Sequence, residues 1–207
     1  PVPMMPYEFT DELIDTIAGE EKVLPYLDIP IQHCNDKVLK TMNRRGDKAE
    51  LLALFHKLRA RIPGLVLRTG LPYEDEAAFE ELCEFLQEVR IERAGVFPYS
   101  PEEGTPAAKM LNRVDTAEAE RRAELVVDVQ SRIMDDFNES RMGDLAEVLC
   151  EGFDPQSMQY MGRSYAESPD IDGHIYFTSE ADVDPGDFVT VRITGTMDGE
   201  LVGEREE

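Results

Sequence analysis

Three polar side chains that could hold a small polar ligand follow a short apolar run near the start of the chain. Residues 26–33 read Tyr-Leu-Asp-Ile-Pro-Ile-Gln-His, so Gln32 and His33 stand where a buried strand would end. At the carboxyl end of a parallel strand, they would face the side on which α/β barrels build active sites. Arg44 follows shortly after and has the planar fork that pairs with a carboxylate. The alternatives are that Gln32 and His33 bond only neighbouring backbone and that Arg44 is a solvated charge.

Two later apolar runs are followed by further candidates of the same kind. Thr69 comes directly after residues 65–68, and residues 97–106 read Phe-Pro-Tyr-Ser-Pro-Glu-Glu-Gly-Thr-Pro after a third run. The ring of Tyr99 and the hydroxyl of Ser100 are suited to contact with an adenine or a ribose. The prolines and glycine of this segment are explained by loop shape alone.

The elements that must position these residues are parallel β/α units. Short apolar runs alternate with amphipathic helical patterns over about the first 140 residues. Helix starts are marked by Thr10, Asn35, Asp47 and Asp115, and the last two are followed by glutamates in a capping-box spacing. The pattern predicts strands at 23–31, 65–68 and 94–97. It predicts helices at 11–18, 36–42, from 47 to before Pro63, at 74–89 and from 115 through 137.

After Gly143 the pattern changes to short strands separated by turn signals. The strands are predicted at 146–150, 160–165, 174–177, 188–193 and 201–202. Asp172-Gly173, Pro185-Gly186 and Asp198-Gly199 separate them, and the last is a strong hairpin signal. Five short strands in about 60 residues predict a small all-β, OB-like barrel. The predicted domains are therefore 1–143 and 144–207.

Acidity is the strongest compositional signal. The 207 residues contain 44 Asp and Glu against 21 Lys and Arg, a formal net charge of -23. Residues 144–207 alone contain 16 acids and 3 bases. Such a surface repels nucleic acid and attracts basic partners, although acidity that serves only solubility is an equally open explanation.

Composition also bears on compartment and redox chemistry. No apolar run approaches the roughly 20 residues that span a bilayer, and the first residues lack the features of a signal peptide, so we expect a cytoplasmic protein without a membrane partner. Cys34, Cys83 and Cys150 are far apart and form no CxxC or CxxxCxxC motif. We expect buried, reduced thiols and no metal site.

Residues 26–33, 42–46 (Met-Asn-Arg-Arg-Gly) and 97–106 resemble the second half of the radical S-adenosylmethionine methylthiotransferases. The resemblance implies part of a radical SAM partial (β/α) barrel, with S-adenosylmethionine and [4Fe-4S] clusters as cofactors of the full-length family. It implies cofactor-binding roles for the polar residues already singled out, which are Gln32, His33, Arg44, Thr69, Tyr99 and Ser100. It indicates no particular catalytic residue.

Two departures from the family pattern concern the cofactor site. About four residues that the family has between Thr69 and Gly70 are absent, and Tyr73 stands where the family usually has glycine. A strand that ends at Thr69 is short for a barrel stave. The cluster-binding cysteines are also absent, so we expect this chain alone to be inactive.

Residues 160–173 (Tyr-Met-Gly-Arg-Ser-Tyr-Ala-Glu-Ser-Pro-Asp-Ile-Asp-Gly) lie in a tail that resembles a TRAM domain. They are more similar to family members that modify an aspartate of small-subunit ribosomal protein twelve than to the tRNA-modifying members. The expected partner is that basic protein, docked on the acidic TRAM barrel by a monomeric enzyme. The alternatives are a tRNA methylthiotransferase and a non-catalytic protein-binding module. Arg163 and Tyr165 are expected to be structural residues of the barrel rim.

Overall fold

Parallel strands and helices alternate along the first part of the chain, and mostly antiparallel strands make up the last part. The structure, a computed structural model, describes residues 4–71, 76–96 and 115–206. Two units follow each other, Pro1–Ile133 and Met134–Glu207, and the change falls within a long helix. The mixed α/β class is confirmed, and the boundary at residue 143 stays a prediction.

The first unit contains a three-stranded parallel sheet in the order β1-β2-β3. The register pairs Tyr26 with Val66 and Thr69 with Ala94. Helices follow the strands, as parallel connections require. The strands are β1 (Tyr26–Asp28), β2 (Val66–Leu71) and β3 (Arg93–Val96), and the helices are α1 (Asp11–Gly19), α2 (Asp36–Thr41), α3 (Lys48–Arg61), α4 (Glu76–Val89) and α5 (Thr116–Ser140), with a short 3-10 turn at Pro6–Glu8.

The helix starts follow the predicted caps. The side chains of Thr10, Asn35 and Asp47 accept hydrogen bonds from backbone N–H groups in the first turns of α1, α2 and α3. Asp115 does the same at α5, where its Oδ1 accepts from Ala117 and Glu118. A cap satisfies backbone donors that have no partner within the helix, which is why short polar residues determine these starts.

In the first unit, two strands differ from the prediction by more than one residue at an end. β1 is shorter than 23–31 because residues 20–23 form a turn closed by the Val23 N–H on the Glu20 carbonyl, which leaves Val23 and Leu24 42% and 58% exposed. β2 is longer than 65–68 and does not end at Thr69. Gly70 and Leu71 continue the ladder opposite β3 because pairing uses backbone groups and needs no apolar side chain.

The second unit is a closed five-stranded barrel in the order β4-β5-β6-β8-β7, as the sequence predicted. All strand pairs are antiparallel except β6 and β8, and closure leaves no open sheet edge. Asp198 and Gly199, with φ of 52° and 84°, form the tight hairpin turn between β7 and β8. The strands are β4 (Leu145–Asp154), β5 (Gln159–Arg163), β6 (Ile175–Thr178), β7 (Phe188–Met197) and β8 (Glu200–Arg205).

Each unit has its own apolar core. The first is built around the fully buried Phe55, Leu67 and Phe85, and the second around Val148 and Phe177. No helix in the described part of the chain is long and apolar enough to cross a membrane.

Candidate functional site

A strained turn follows β1 at the carboxyl edge of the sheet. The His33 N–H bonds the Ile31 carbonyl at 2.8 Å, so the chain reverses around Gln32, whose φ is 70°. An i to i+2 turn with positive φ at its centre is rare, and a non-glycine residue in such a conformation costs on the order of 1–3 kcal/mol. Strain of this kind concentrates at ligand sites, so the half-buried Gln32 is a candidate ligand contact.

A backbone hydrogen bond orients the ring of His33 beside this turn. Its side chain is fully buried, and Nδ1 accepts the Asn35 backbone N–H at 2.8 Å. A backbone N–H can only donate, so Nδ1 carries no proton and the neutral ring has its proton on Nε2. The hydrogen bond therefore holds the imidazole in one orientation, with its proton on Nε2.

Thr69 lies on β2 directly beside the same turn. Its hydroxyl accepts the Ile31 N–H at 3.4 Å, and the residue is 1% exposed. The structure thus brings Gln32, His33 and Thr69 together, with Thr69 supporting the turn from within the sheet.

Arg44 lies near the N-terminal segment that runs along β1 on the side opposite β2. Its Nη1 is 3.1 Å from the sulfur of Met5, and the Met4 N–H bonds the Asp28 carbonyl on the side of β1 away from β2. Among residues 4–71, 76–96 and 115–206, no carboxylate lies within 4.0 Å of this guanidinium. Tyr99 and Ser100 lie outside the described residues.

A hydrogen-bond network that the sequence analysis missed joins three elements next to His33. Asn35 Nδ2 donates to Glu81 Oε2 at 2.6 Å, and Lys48 Nζ lies 3.1 Å from Glu81 Oε1. Burial raises the pKa of Glu81, but the hydrogen bonds from Asn35 and Lys48 outweigh it, so the pKa lies below its usual value. Asn35 was identified only as a helix cap, and no pattern in the sequence marked Glu81.

The cysteine next to the site is a buried thiol with a raised pKa. Cys34 is fully buried and its thiol donates to the Glu81 carbonyl at 3.6 Å. Burial, aided by the charge of Glu81, raises the pKa of Cys34 to about 12, whereas a metal ligand must be a thiolate. Within the described residues no three His, Cys, Asp or Glu side chains cluster as metal ligands do, so these residues do not fit an iron-sulfur cluster.

In the second unit, a buried ion pair joins Arg141, which follows α5, to Glu167 of the motif at 160–173. Arg141 Nη1 lies 2.8 Å from Glu167 Oε1, and Ser164 donates through its N–H and its hydroxyl to Glu167 Oε2. Arg163 donates to Glu151 at 2.7 Å, and its structural role stays a prediction. Tyr165 is 38% exposed.

Two family models match the chain, one on each unit. The model of the Radical SAM superfamily matches residues 3–86, and the model of the TRAM domain matches residues 142–205. The parallel unit is thus a radical SAM segment, and the closed barrel is a TRAM domain.

Individual relatives match over almost the whole chain. "Ribosomal protein uS12 methylthiotransferase RimO" of Acetivibrio thermocellus is 43% identical over 203 residues, which are 96% of this chain and 45% of the relative. The proteins of the same name from Clostridium botulinum and Caldanaerobacter subterraneus are 42% and 43% identical over 98% and 96% of this chain. The chain belongs to the RimO family of radical SAM methylthiotransferases, and it spans about half the length of these relatives.

Proposed function

We propose that this chain forms the cofactor wall and the substrate-docking domain of a RimO-type enzyme. The reaction would place a methylthio group on the β-carbon of an aspartate in ribosomal protein uS12. The observation that supports this most strongly is the 43% identity to RimO along both units together. [4Fe-4S] clusters would have to be held by residues other than those described here.

The carboxyl edge of the sheet supports a role in binding S-adenosylmethionine. Gln32 sits in a strained turn, His33 is oriented by the backbone through Nδ1, and Thr69 accepts the Ile31 N–H of the same turn. Arg44 has sulfur and no carboxylate beside it among the described residues, which leaves its charge suited to the cofactor's carboxylate. Tyr99 and Ser100 complete the proposed set. When bound, the cofactor supplies the chemistry that removes hydrogen from the substrate carbon.

Substitution of Gln32 in an otherwise complete enzyme tests this assignment. Gln32→Ala should raise the KM for S-adenosylmethionine because it removes the side chain that the turn presents. An unchanged KM would exclude Gln32 from the cofactor site.

The charge of the barrel supports a basic protein as its partner. Of the three arginines in residues 144–207, Arg163 and Arg192 are paired with Glu151 and Glu206. Arg205 donates to the hydroxyl of Ser179 at 3.4 Å. The excess of carboxylates therefore dominates the surface field, which favours a cationic protein and disfavours a phosphate backbone.

Binding measurements across a salt series test the docking role. This chain should bind purified uS12 with an affinity that falls as salt rises, and it should not bind a tRNA anticodon stem-loop. Binding to the stem-loop instead would show a tRNA-modifying enzyme, and binding to neither would remove the barrel from substrate recognition.

Charge variants locate the docking surface. Neutralising three exposed acids of the loop between β6 and β7 should weaken uS12 binding; these are Glu180, Asp182 and Asp184. The matched control removes three exposed acids from α4 in the first unit, namely Glu80, Glu84 and Glu88. Equal losses in both variants would mean that net charge, and not the barrel surface, determines binding.

A further inference from the structure

Glu81 lies where three elements of the first unit converge beside the turn after β1. It is on α4, its Oε1 faces Lys48 at the start of α3, and its Oε2 accepts from Asn35 at the start of α2. The Lys48 backbone N–H also bonds the Asp36 carboxylate, which fixes α3 to α2. Glu81 is therefore the common partner through which α3 and α4 hold Asn35.

Both polar atoms of the Asn35 side chain and its backbone N–H form hydrogen bonds here. Oδ1 accepts from the N–H groups of Lys37 and Val38, and Nδ2 donates to Glu81. The backbone N–H is the donor to His33 Nδ1. Any displacement of Asn35 therefore reaches the imidazole directly, through a single hydrogen bond.

We propose that Glu81 is a positioning residue: by holding Asn35, it keeps His33 in the Nε2–H form and oriented toward the bound cofactor. The part of this inference that concerns the cofactor rests on the proposed function, whereas the part that concerns the His33 tautomer stands on the contacts alone. Glu81 touches neither cofactor nor substrate in this scheme; it holds Asn35, and its charge also interacts with His33.

Nitrogen NMR of the imidazoles tests the tautomer. The chain has three histidines, His33, His56 and His174, so ¹⁵N-histidine labelling gives three ring systems, and a His33→Gln variant assigns one of them. His33 should show a protonated Nε2 and an unprotonated Nδ1. Glu81→Ala removes a hydrogen bond to a charged group, and the ratio of the minor tautomer to the major one should rise about tenfold or more.

Glu80→Ala is the matched control, because Glu80 is an exposed neighbour on the same helix. It should leave the ratio of His33 tautomers unchanged. An unchanged ratio in Glu81→Ala, with the chain still folded, would overturn the proposal.

A pair of substitutions that exchanges the amide and the carboxylate between positions 35 and 81 tests the proposal if Glu81→Ala does not fold. Asn35→Asp alone sets two carboxylates against each other and should disturb the His33 signals, although it preserves the helix cap. Combined with Glu81→Gln, it restores a hydrogen bond in which the residue 81 amide donates to the residue 35 carboxylate. Recovery of the wild-type His33 spectrum in the double variant supports positioning by this contact, and failure to recover contradicts it.

Kinetics of the complete enzyme separate this proposal from the proposed function. Glu81→Ala should raise the KM for S-adenosylmethionine several-fold with a smaller effect on kcat. If the tautomer shifts but KM does not, positioning of His33 by Glu81 stands and the cofactor role of His33 is wrong.

Discussion

Removal of Glu167 should destabilise the barrel severely. The side chains of Arg141 and Glu167 are only 9% and 2% exposed, and their charges lie 2.8 Å apart. Glu167 also accepts two hydrogen bonds from Ser164, and Arg141 donates a further one to the Ser164 hydroxyl at 3.1 Å. Glu167→Ala would remove the carboxylate that neutralises a buried guanidinium.

The expected cost is about 3–5 kcal/mol, the range measured when one partner of a buried ion pair is deleted. Because each 1.4 kcal/mol is a factor of ten, amide hydrogen exchange in β4 and β7 should accelerate roughly 150- to 4,000-fold. Mass spectrometry of peptides from the barrel measures this, with peptides from β1 to β3 as the internal reference.

Glu206→Ala is the matched control in the same barrel. Its partner Arg192 and Glu206 itself are 46% and 39% exposed, so loss of this pair should cost less than about 1 kcal/mol. Replacement of both buried partners, Arg141→Met with Glu167→Leu, should cost less than Glu167→Ala because no buried charge is left uncompensated. If Glu167→Ala accelerates exchange no more than Glu206→Ala does, the reasoning about the buried pair is wrong.

Three further predictions each concern a single residue. Cys34 has a pKa of about 12, so very little of it is thiolate at pH 8. It should therefore react with iodoacetamide more than about a hundredfold slower than a free cysteine. Rapid labelling of Cys34 in the folded chain would contradict its burial. Hydrogen bonds from Arg121 and Arg122 lower the pKa of Glu118 from 4.5 to about 2. The ionised Glu118 therefore stabilises α5 fully above pH 4.5, and this stabilisation is lost as the pH falls toward 2. A carboxyl titration midpoint near 4.5 in the NMR spectrum would refute this. A Cβ at Gly162 would lie 2.3 Å from the Leu149 carbonyl, so Gly162→Ala should cost the barrel about 1–3 kcal/mol. In Gly152→Ala the nearest atom would be 3.5 Å away, and equal thermal midpoints of the two variants would contradict the packing argument.

The sequence predicted three helix starts and one hairpin turn correctly, because each depends on residues that are close together in the chain. Thr10, Asn35 and Asp47 cap the helices that they were expected to begin, because a cap depends on a side chain and the N–H groups two or three residues later. The Asp198-Gly199 turn was predicted for the same reason, since its backbone conformation is determined by those two residues. The start of β1 was wrong because a turn at 20–23 precedes it. β2, β4, β7 and β8 are longer than predicted because strand length depends on pairing with a neighbouring strand.

The candidate site was predicted in part. Gln32 and His33 were singled out from their place after an apolar run and from the family resemblance, and their role in a cofactor site stays a prediction. The structure adds the positive φ of Gln32 and the hydrogen bond that orients the His33 ring. Thr69 was expected beside them, and parallel pairing of β1 with β2 explains why it lies there. Arg44 was expected near a cofactor carboxylate, and that role stays a prediction.

The sequence by itself determined the order of helices and strands, the excess of carboxylates in the barrel and the polar residues at the end of β1. Only the tertiary structure decided the partners of the buried charges. Asn35 meets Glu81 across 46 residues, and Arg141 meets Glu167 across 26. Neither pair has a periodic or local signature, because a buried hydrogen bond between distant residues exists only after the packing of apolar faces has brought its two groups together.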